Sequence, residues 1–354
     1  MFGPGTGECI IAHLGNGDWI VVDSCLDKKT GEAIALKYLK AIGVDIALSV
    51  KMVVATHWHD DHIRGLSKVL REARNAIFVD SAAYSFSKLS HIVRLGAQTA
   101  ANASVTEEYN EIYQVLKQRR LKGERLEAVG PVQASANKKL LNLVSHNRAV
   151  NAEVIALSPS DGTLNHARAE LEHAESLFLE RKRPSRQGAN QLCVVLWVRV
   201  GELQVILGAD LEHVSGRTEG WRAIVGSAER PAGVAGIFKV PHHGSKNAHS
   251  PECWDTLLSS NPVGIVTPYA QSGLPTTNDI QRLCGLTSEV YITSDYRLYK
   301  VPTLNHTVEK MLKDRKKRRA LEGPMGHVRL RADAKNPGLK PEIEMFNGAE
   351  KICA

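Results

Sequence analysis

The run Val53-Val54-Ala55-Thr56-His57-Trp58-His59-Asp60-Asp61-His62-Ile63-Arg64-Gly65 decides how the rest of the chain is read. Five of the six residues from His57 to His62 carry cation-binding side chains. The apolar stretch in front of them, Val50 to Ala55, has the valine-rich, uninterrupted character of a buried strand. The ligand-type residues are therefore expected at a strand tip. Side chains alternate along extended backbone, so His57 and His59 point the same way and can close on one cation. The chain must then turn. Asp61 and His62 fall at a strand-to-helix corner, offset from the first pair and placed to serve a second cation. Any one of these histidines could be an ordinary surface or core residue. Three histidines and two aspartates crowded at a buried strand end are another matter, since they repel and desolvate at a cost unless a cation collects them.

Working outward, the next block of the same kind is Leu203 to Leu207 followed by Gly208-Ala209-Asp210. Two apolar runs, Asn190 to Val198 and Leu203 to Leu207, are joined by a turn at Gly201 and deliver an aspartate to a strand end just after a glycine. A carboxylate can span two cations where an imidazole cannot, so Asp210 is the natural bridging ligand. A further strand, Gly236 to Val240, runs into Pro241-His242-His243-Gly244-Ser245, again with ligand-type residues at its end. Upstream, Cys9 to His13 and Trp19 to Asp23 flank a Gly15-Asn16-Gly17 turn and predict a β-hairpin. Apolar spacing at Ile34, Leu36, Leu39 and Ile42 predicts a helix.

His57-x-His59-x-Asp61-His62 resembles the signature of the metallo-β-lactamase-like hydrolase superfamily. That resemblance implies an α/β fold, an αββα metallo-β-lactamase sandwich with a two-metal site along one edge of its sheets. It also implies that Asp23 supports the ligand loop from behind and that His146 supplies the last ligand of the first metal. With Asn190, Leu207-Gly208-Ala209-Asp210 and Phe238-Lys239-Val240-Pro241-His242-His243-Gly244-Ser245 included, the chain is similar to the metallo-β-lactamase-like domain of bacterial DNA-uptake channel proteins and its free-standing relatives. Matching segments run from about Cys9 to Cys284. The branch implies His242 as the remaining ligand of the second metal and His243 as a ligand or proton donor, and the sequence leaves the division between these two open. One departure stands out: a later loop of the branch carries Gly-His-Pro, whereas this chain has Gly273-Leu274-Pro275.

The expected site thus takes two divalent cations, Zn2+ or Mn2+. His57, His59 and His146 would hold the first, Asp61, His62 and His242 the second, and Asp210 would lie between them. Asp61 and His243 are the expected catalytic groups. Two cations sharing a hydroxide, with the departing oxygen held nearby, describe a hydrolase. A nuclease or phosphodiesterase is expected first; a hydrolase of a small ester, lactone or phosphorylated metabolite, and a partner-binding subunit with a structural metal, are the alternatives.

The 354 residues are 43% apolar, enough for a large core, and the net charge of +7 favours an anionic partner such as nucleic acid only mildly. The six cysteines form no CxxC pair, so reduced, buried thiols are expected. No apolar run approaches the roughly 20 residues of a membrane span, and the expectation is a soluble, cytoplasmic protein. A metallo-β-lactamase-like domain is expected over 1–310, with a helical insertion at about 84–143 that packs as a cap or offers a surface to a protein partner. A basic extension over 311–354 completes the chain. The cationic runs Arg181 to Arg186 and Lys313 to Arg319 are exposed helix ends or phosphate contacts.

Overall fold

A computed structural model describes residues 1–27, 29–83, 100–123, 130–169, 188–294 and 326–353. The two basic runs and residues 84–99 of the expected insertion lie outside them.

The first strands form as the turn chemistry requires. β1 (Ile10–His13) and β2 (Trp19–Val22) pair antiparallel, with Gly15 and Gly17 supplying the positive φ of the turn. After α1 (Ile34–Ala41) and α2 (Ile46–Ser49), β3 (Val50–Val54) pairs parallel to β2 and points its C-terminal end the same way. Then follow α3 (Asp60–Ile63), α4 (Leu66–Glu72), β4 (Ile77–Ser81), α5 (Ala100–Leu121) and β5 (Pro131–Ala134). The sheet order is β1-β2-β3-β4-β5.

The second sheet has eight strands in the order β15-β12-β11-β10-β9-β8-β7-β6. Its antiparallel part comprises β6 (Lys139–Leu143), β7 (Ala152–Ala156), β8 (Leu196–Val200) and β9 (Leu203–Leu207). A helix at 161–169, α6, lies between β7 and β8. Beyond β9, α7 (Gly220–Gly226), α8 (Pro251–Leu257) and α9 (Thr277–Cys284) alternate with β10 (Ala235–Lys239), β11 (Leu258–Val266) and β12 (Val290–Ile292), which run parallel to β9.

Three apolar layers follow from the alternation of side chains. Ile20, Val22, Met52, Val54 and Val79 of the first sheet meet Val154, Ala156, Leu196, Val198 and Leu207 of the second. The outer face of the first sheet, with Val21, Val53 and Phe78, packs on Leu36, Leu39, Val69, Ile112 and Leu116. That of the second, with Trp197, Ile206 and Phe238, packs on Trp221, Ile224, Trp254 and Leu283. Each fully buried aliphatic side chain contributes about 1.5–3 kcal/mol. The result is a four-layer αββα arrangement, the mixed α/β fold expected.

Two expectations need correction. The helical insertion does not reach residue 143: α5 ends at Leu121, and β5 and β6 are strands that complete one sheet and edge the other. The alanine, leucine, glutamine and lysine of the stretch 84–143 suit a helix, but cross-strand pairing with β4 and β7 decides for these two segments. The cysteines are not all reduced. Cys284 and Cys353 form a disulfide 69 residues apart in sequence, because β15 (Glu350–Lys351) runs antiparallel beside β12 and returns Cys353 to the end of α9. Cys9, Cys25, Cys193 and Cys253 are free and buried. The segment 326–353 also supplies the hairpin of β13 (His327–Arg331) and β14 (Glu342–Phe346), whose Val328 and Leu330 pack with Ile237, Ile265 and Tyr291.

Candidate metal centre

Strands β2, β3, β9 and β10 all end on one side of the sandwich. Asp23, His57 to His62, Asp210, and His242 with His243 follow directly after them. Backbone strain marks the same place. Seven non-glycine residues with positive φ are found among the described residues, and three of them are asparagines, which tolerate that conformation. The other four are Asp23 (57°), Ala209 (45°), His242 (48°) and His243 (55°). Such turns cost energy, and here they gather at the strand ends that carry the aspartate and histidine side chains. Gly208 is needed for a different reason: a Cβ there would lie 2.8 Å from the Lys239 carbonyl oxygen.

Asp23 organises the motif from behind. Its Oδ1 accepts from the Thr56 backbone N–H at 2.8 Å, and its Oδ2 accepts from Thr56 Oγ1 at 2.7 Å. His62 Nδ1 lies 2.7 Å from Oδ2, so the ring presents Nε2 to the interior. Thr56 Oγ1 is 3.0 Å from His57 Nδ1, which turns His57 Nε2 inward as well, 3.0 Å from His59 Nδ1.

The inward atoms converge. His62 Nε2 stands 3.4 Å from Asp210 Oδ2 and 3.6 Å from Asp61 Oδ2. His243 Nε2 stands 3.3 Å from each of those two carboxylate oxygens. One ligand-type atom each of His57, His62 and Asp210 lies within 4.8 Å of the others, and the same holds for Asp61, His62 and His243. His62 is common to both groups, and Asp210 Oδ2 stands beside both His62 and His243.

The electrostatics follow from this crowding. Burial pushes both carboxyls upward, but the His62 and His243 imidazoles outweigh it. Asp61 is held at about 2 and Asp210 well below the usual carboxylate range. Burial likewise opposes charge on His243 and His62, yet the facing carboxylates win, lifting His243 to about 9 and His62 well above its ordinary value. His57 has no such carboxylate excess; burial, then His62 and His59, hold it well below.

These residues fit divalent cations. His62 Nε2 is buried and has no hydrogen-bond partner among the described residues, though it faces two carboxylates at distances too long for good hydrogen bonds. Imidazole nitrogens and carboxylate oxygens are the donors that zinc-like ions take.

Of the two neighbouring histidines, His242, expected as the metal ligand, is not the one brought to the cluster. His243 joins Asp61, His62 and Asp210, whereas His242 turns to the rim: its Nδ1 is 2.9 Å from Asn247 Oδ1 and its Nε2 3.2 Å from Asn190 Nδ2. Consecutive left-handed residues send neighbouring side chains in divergent directions, which the pair of letters HH does not reveal. His146 is corrected more thoroughly. It is exposed, in the loop between β6 and β7, where Arg148 pairs with Asp18 of the β1–β2 turn. That loop precedes β7, whose other end borders the site through Leu157, so His146 lies at the opposite end of the sandwich.

Several groups of the site gave little sequence signal. Lys239 and Glu8 form a fully buried pair beside Asp210. The clue available was a lysine inside a run read as a buried strand. Tyr269, from the loop that departs from the branch pattern, stacks on His243 with ring centroids 5.0 Å apart.

Residues 3–129 match the family model described as Metallo-beta-lactamase superfamily, a group made up largely of metal-dependent hydrolases. The segment bearing the histidine-aspartate motif thus matches the model of that superfamily, and the four-layer fold is consistent with it. No curated protein matches the chain. Among solved structures, it is similar to a HARLDQ-motif mutant of a metallo-beta-lactamase from Cronobacter sakazakii (Enterobacter sakazakii), at 13% identity over 67% of this chain and 74% of that one, with a TM-score of 0.33. It is similar also to AidC, a dizinc quorum-quenching lactonase, at 15% identity over 58% and 56%, with a TM-score of 0.31. A mutant of the CmlA β-hydroxylase shows 16% identity over 72% and 37%, with a TM-score of 0.35. Likeness at this level carries no argument about substrate. Among the described residues no helix is long and apolar enough to cross a membrane.

Proposed function

We propose that the protein is a metal-dependent phosphodiesterase acting on nucleic acid. The observation that carries the hydrolytic reading is the convergence of His62 Nε2 and His243 Nε2 on Asp210 Oδ2, at 3.4 and 3.3 Å. His57 and His59 with Asp210 would hold one cation, and Asp61, His62 and His243 with Asp210 the other. Cations held there supply a lowered pKa for coordinated water and an electrophile for a non-bridging oxygen of the substrate. The chain's own residues do the rest. Asp23 and Thr56 fix the rings of His62 and His57. The carboxylates of Asp61 and Asp210 stay ionised through the neutral range.

His242, at 17% side-chain exposure, is the rim group placed to pass a proton to a leaving oxygen, with Glu212 Oε1 3.4 Å from its Nδ1. His243 then acts as a ligand, not as the proton donor. A phosphodiester suits the site because its anionic oxygens complement paired cations, and the chain's net charge of +7 favours approach of a polyanion.

The test is incubation of metal-loaded protein with labelled single- and double-stranded DNA, RNA, a generic phosphodiester reporter and a panel of lactones. Metal-dependent cleavage of a phosphodiester is expected. Turnover of a lactone with every phosphodiester left intact would refute the proposal.

A further inference from the structure

Lys239 is the only lysine that is fully buried among the described residues, and it stands against the back of the site. Its Nζ donates to the Ala209 carbonyl oxygen at 2.6 Å, pairs with Glu8 Oε2 at 2.8 Å and lies 3.5 Å from Asp210 Oδ1. Asp210 therefore has two different sides. Oδ2 faces the histidines; Oδ1 faces the ammonium and has no hydrogen-bond partner of ordinary length among the described residues.

Glu8 is tied through one carboxylate oxygen, Oε2, while its Oε1 is buried with no hydrogen-bond partner among the described residues. Its Oε2 also accepts from Thr267 Oγ1, and its backbone N–H donates to the Asp61 carbonyl oxygen at 2.8 Å. The pair thus touches the chain beside both aspartates. An ion pair sunk into a core is a costly way to fill space, and apolar side chains of the same volume do so at less expense. Here it stands beside two further buried carboxylates, Asp23 and Asp210, with Lys239 the single buried lysine near them.

We propose that Lys239, anchored by Glu8, is a positioning residue for Asp210: it holds Oδ1 back so that Oδ2 is presented to the metal centre. This rests on the reading of Asp210 as the shared ligand, and it is independent of the substrate. Without the ammonium the Asp210 carboxylate is free to rotate and carries uncompensated charge. Metal affinity then falls and the ligand field changes, although no ligand has been removed. Loss of an outer partner of this kind typically lowers metal affinity 10- to 100-fold.

The experiment uses the full chain, stripped of metal and titrated with Co2+, following the visible absorption of the bound ion, with Zn2+ affinity measured by chelator competition. The informative variant is the double substitution Glu8→Gln with Lys239→Met, which removes both charges together and leaves no unpaired ion. Its metal-free melting temperature, compared with wild type, reports folding. The expected result is a metal affinity lower by about tenfold or more and an altered Co2+ spectrum. Wild-type affinity and spectrum in the double variant would overturn the proposal, because the two charges would then merely satisfy each other. Lys239→Gln, which keeps a donor without the charge, covers a double variant that does not fold; the same loss is expected, and its absence is equally fatal. The two readings fail separately. Wild-type protein that takes up no Co2+ defeats this proposal, whereas protein that binds Co2+ and cleaves no phosphodiester defeats only the substrate assignment.

Discussion

The two ends of the same sandwich spend polar residues in opposite ways. At one end, Asp23, His57, His62, Asp210 and His243 are buried and aimed at one another, with Asp23 and His243 in strained left-handed backbone. At the other, Asp18 pairs with Arg148 at 2.6 Å and Lys51 at 3.2 Å across the turn joining β1 to β2, and Asn16 bonds the Val150 carbonyl oxygen. The second arrangement is complete in itself: each charge meets its opposite. The first is incomplete, with carboxylates and imidazoles gathered at distances better suited to a cation than to each other. A folded protein keeps such a cluster only when something is gained from it, and binding is the gain that the donor set describes.

The comparison can be broken most forcefully at Asp210. Asp210→Ala is expected to lower metal-dependent hydrolysis by at least about 10³-fold, since both halves of the centre lose a ligand. Steady-state rates on the best phosphodiester found would check it, and a variant within tenfold of wild type would contradict the site. Next comes Asp23→Asn, which places an amide N–H against His62 Nδ1 and spoils the tautomer that presents Nε2. Zinc affinity should drop about 10- to 100-fold in chelator competition.

At the far end the expected effects shrink. Arg148→Ala should cost about 1 kcal/mol in urea unfolding and leave metal affinity unchanged. His146→Ala should change stability by no more than about 0.5 kcal/mol and activity not at all. If it lowered metal content instead, the division between the two ends would be mistaken.

What could be read from the sequence follows the same line. The stretch from His57 to His62 was legible because its ligands are contiguous and a valine-rich strand announces where they sit. Asp210 was legible because a hairpin and a glycine fix its place at a strand end. The αββα layering came from the resemblance, not from periodicity, and its second sheet was only partly visible: β5 and β6 read as helix because their composition suits both.

His146 misled for a geometric reason. Whether a residue before a strand lies near the site depends on the direction of that strand, and β7 runs toward the site, leaving His146 behind. The roles of His242 and His243 turned on two left-handed residues in succession, a backbone feature that the sequence does not spell out. The disulfide between Cys284 and Cys353 was illegible because only the pairing of β15 with β12 brings them together. Lys239 could have been flagged by one rule, that a charge inside an apolar run needs a partner, whereas Glu8, just after the glycine-rich Gly3 to Gly7, gave no such sign.

Separate strand ends converge on donors fit for a cation pair. The most direct measurement is the metal content of pure protein, saturated with Zn2+, freed of excess ion and analysed by inductively coupled plasma mass spectrometry beside Asp210→Ala. About two ions per wild-type chain are expected, and at most one in the variant. A folded wild-type chain that retains none would contradict it.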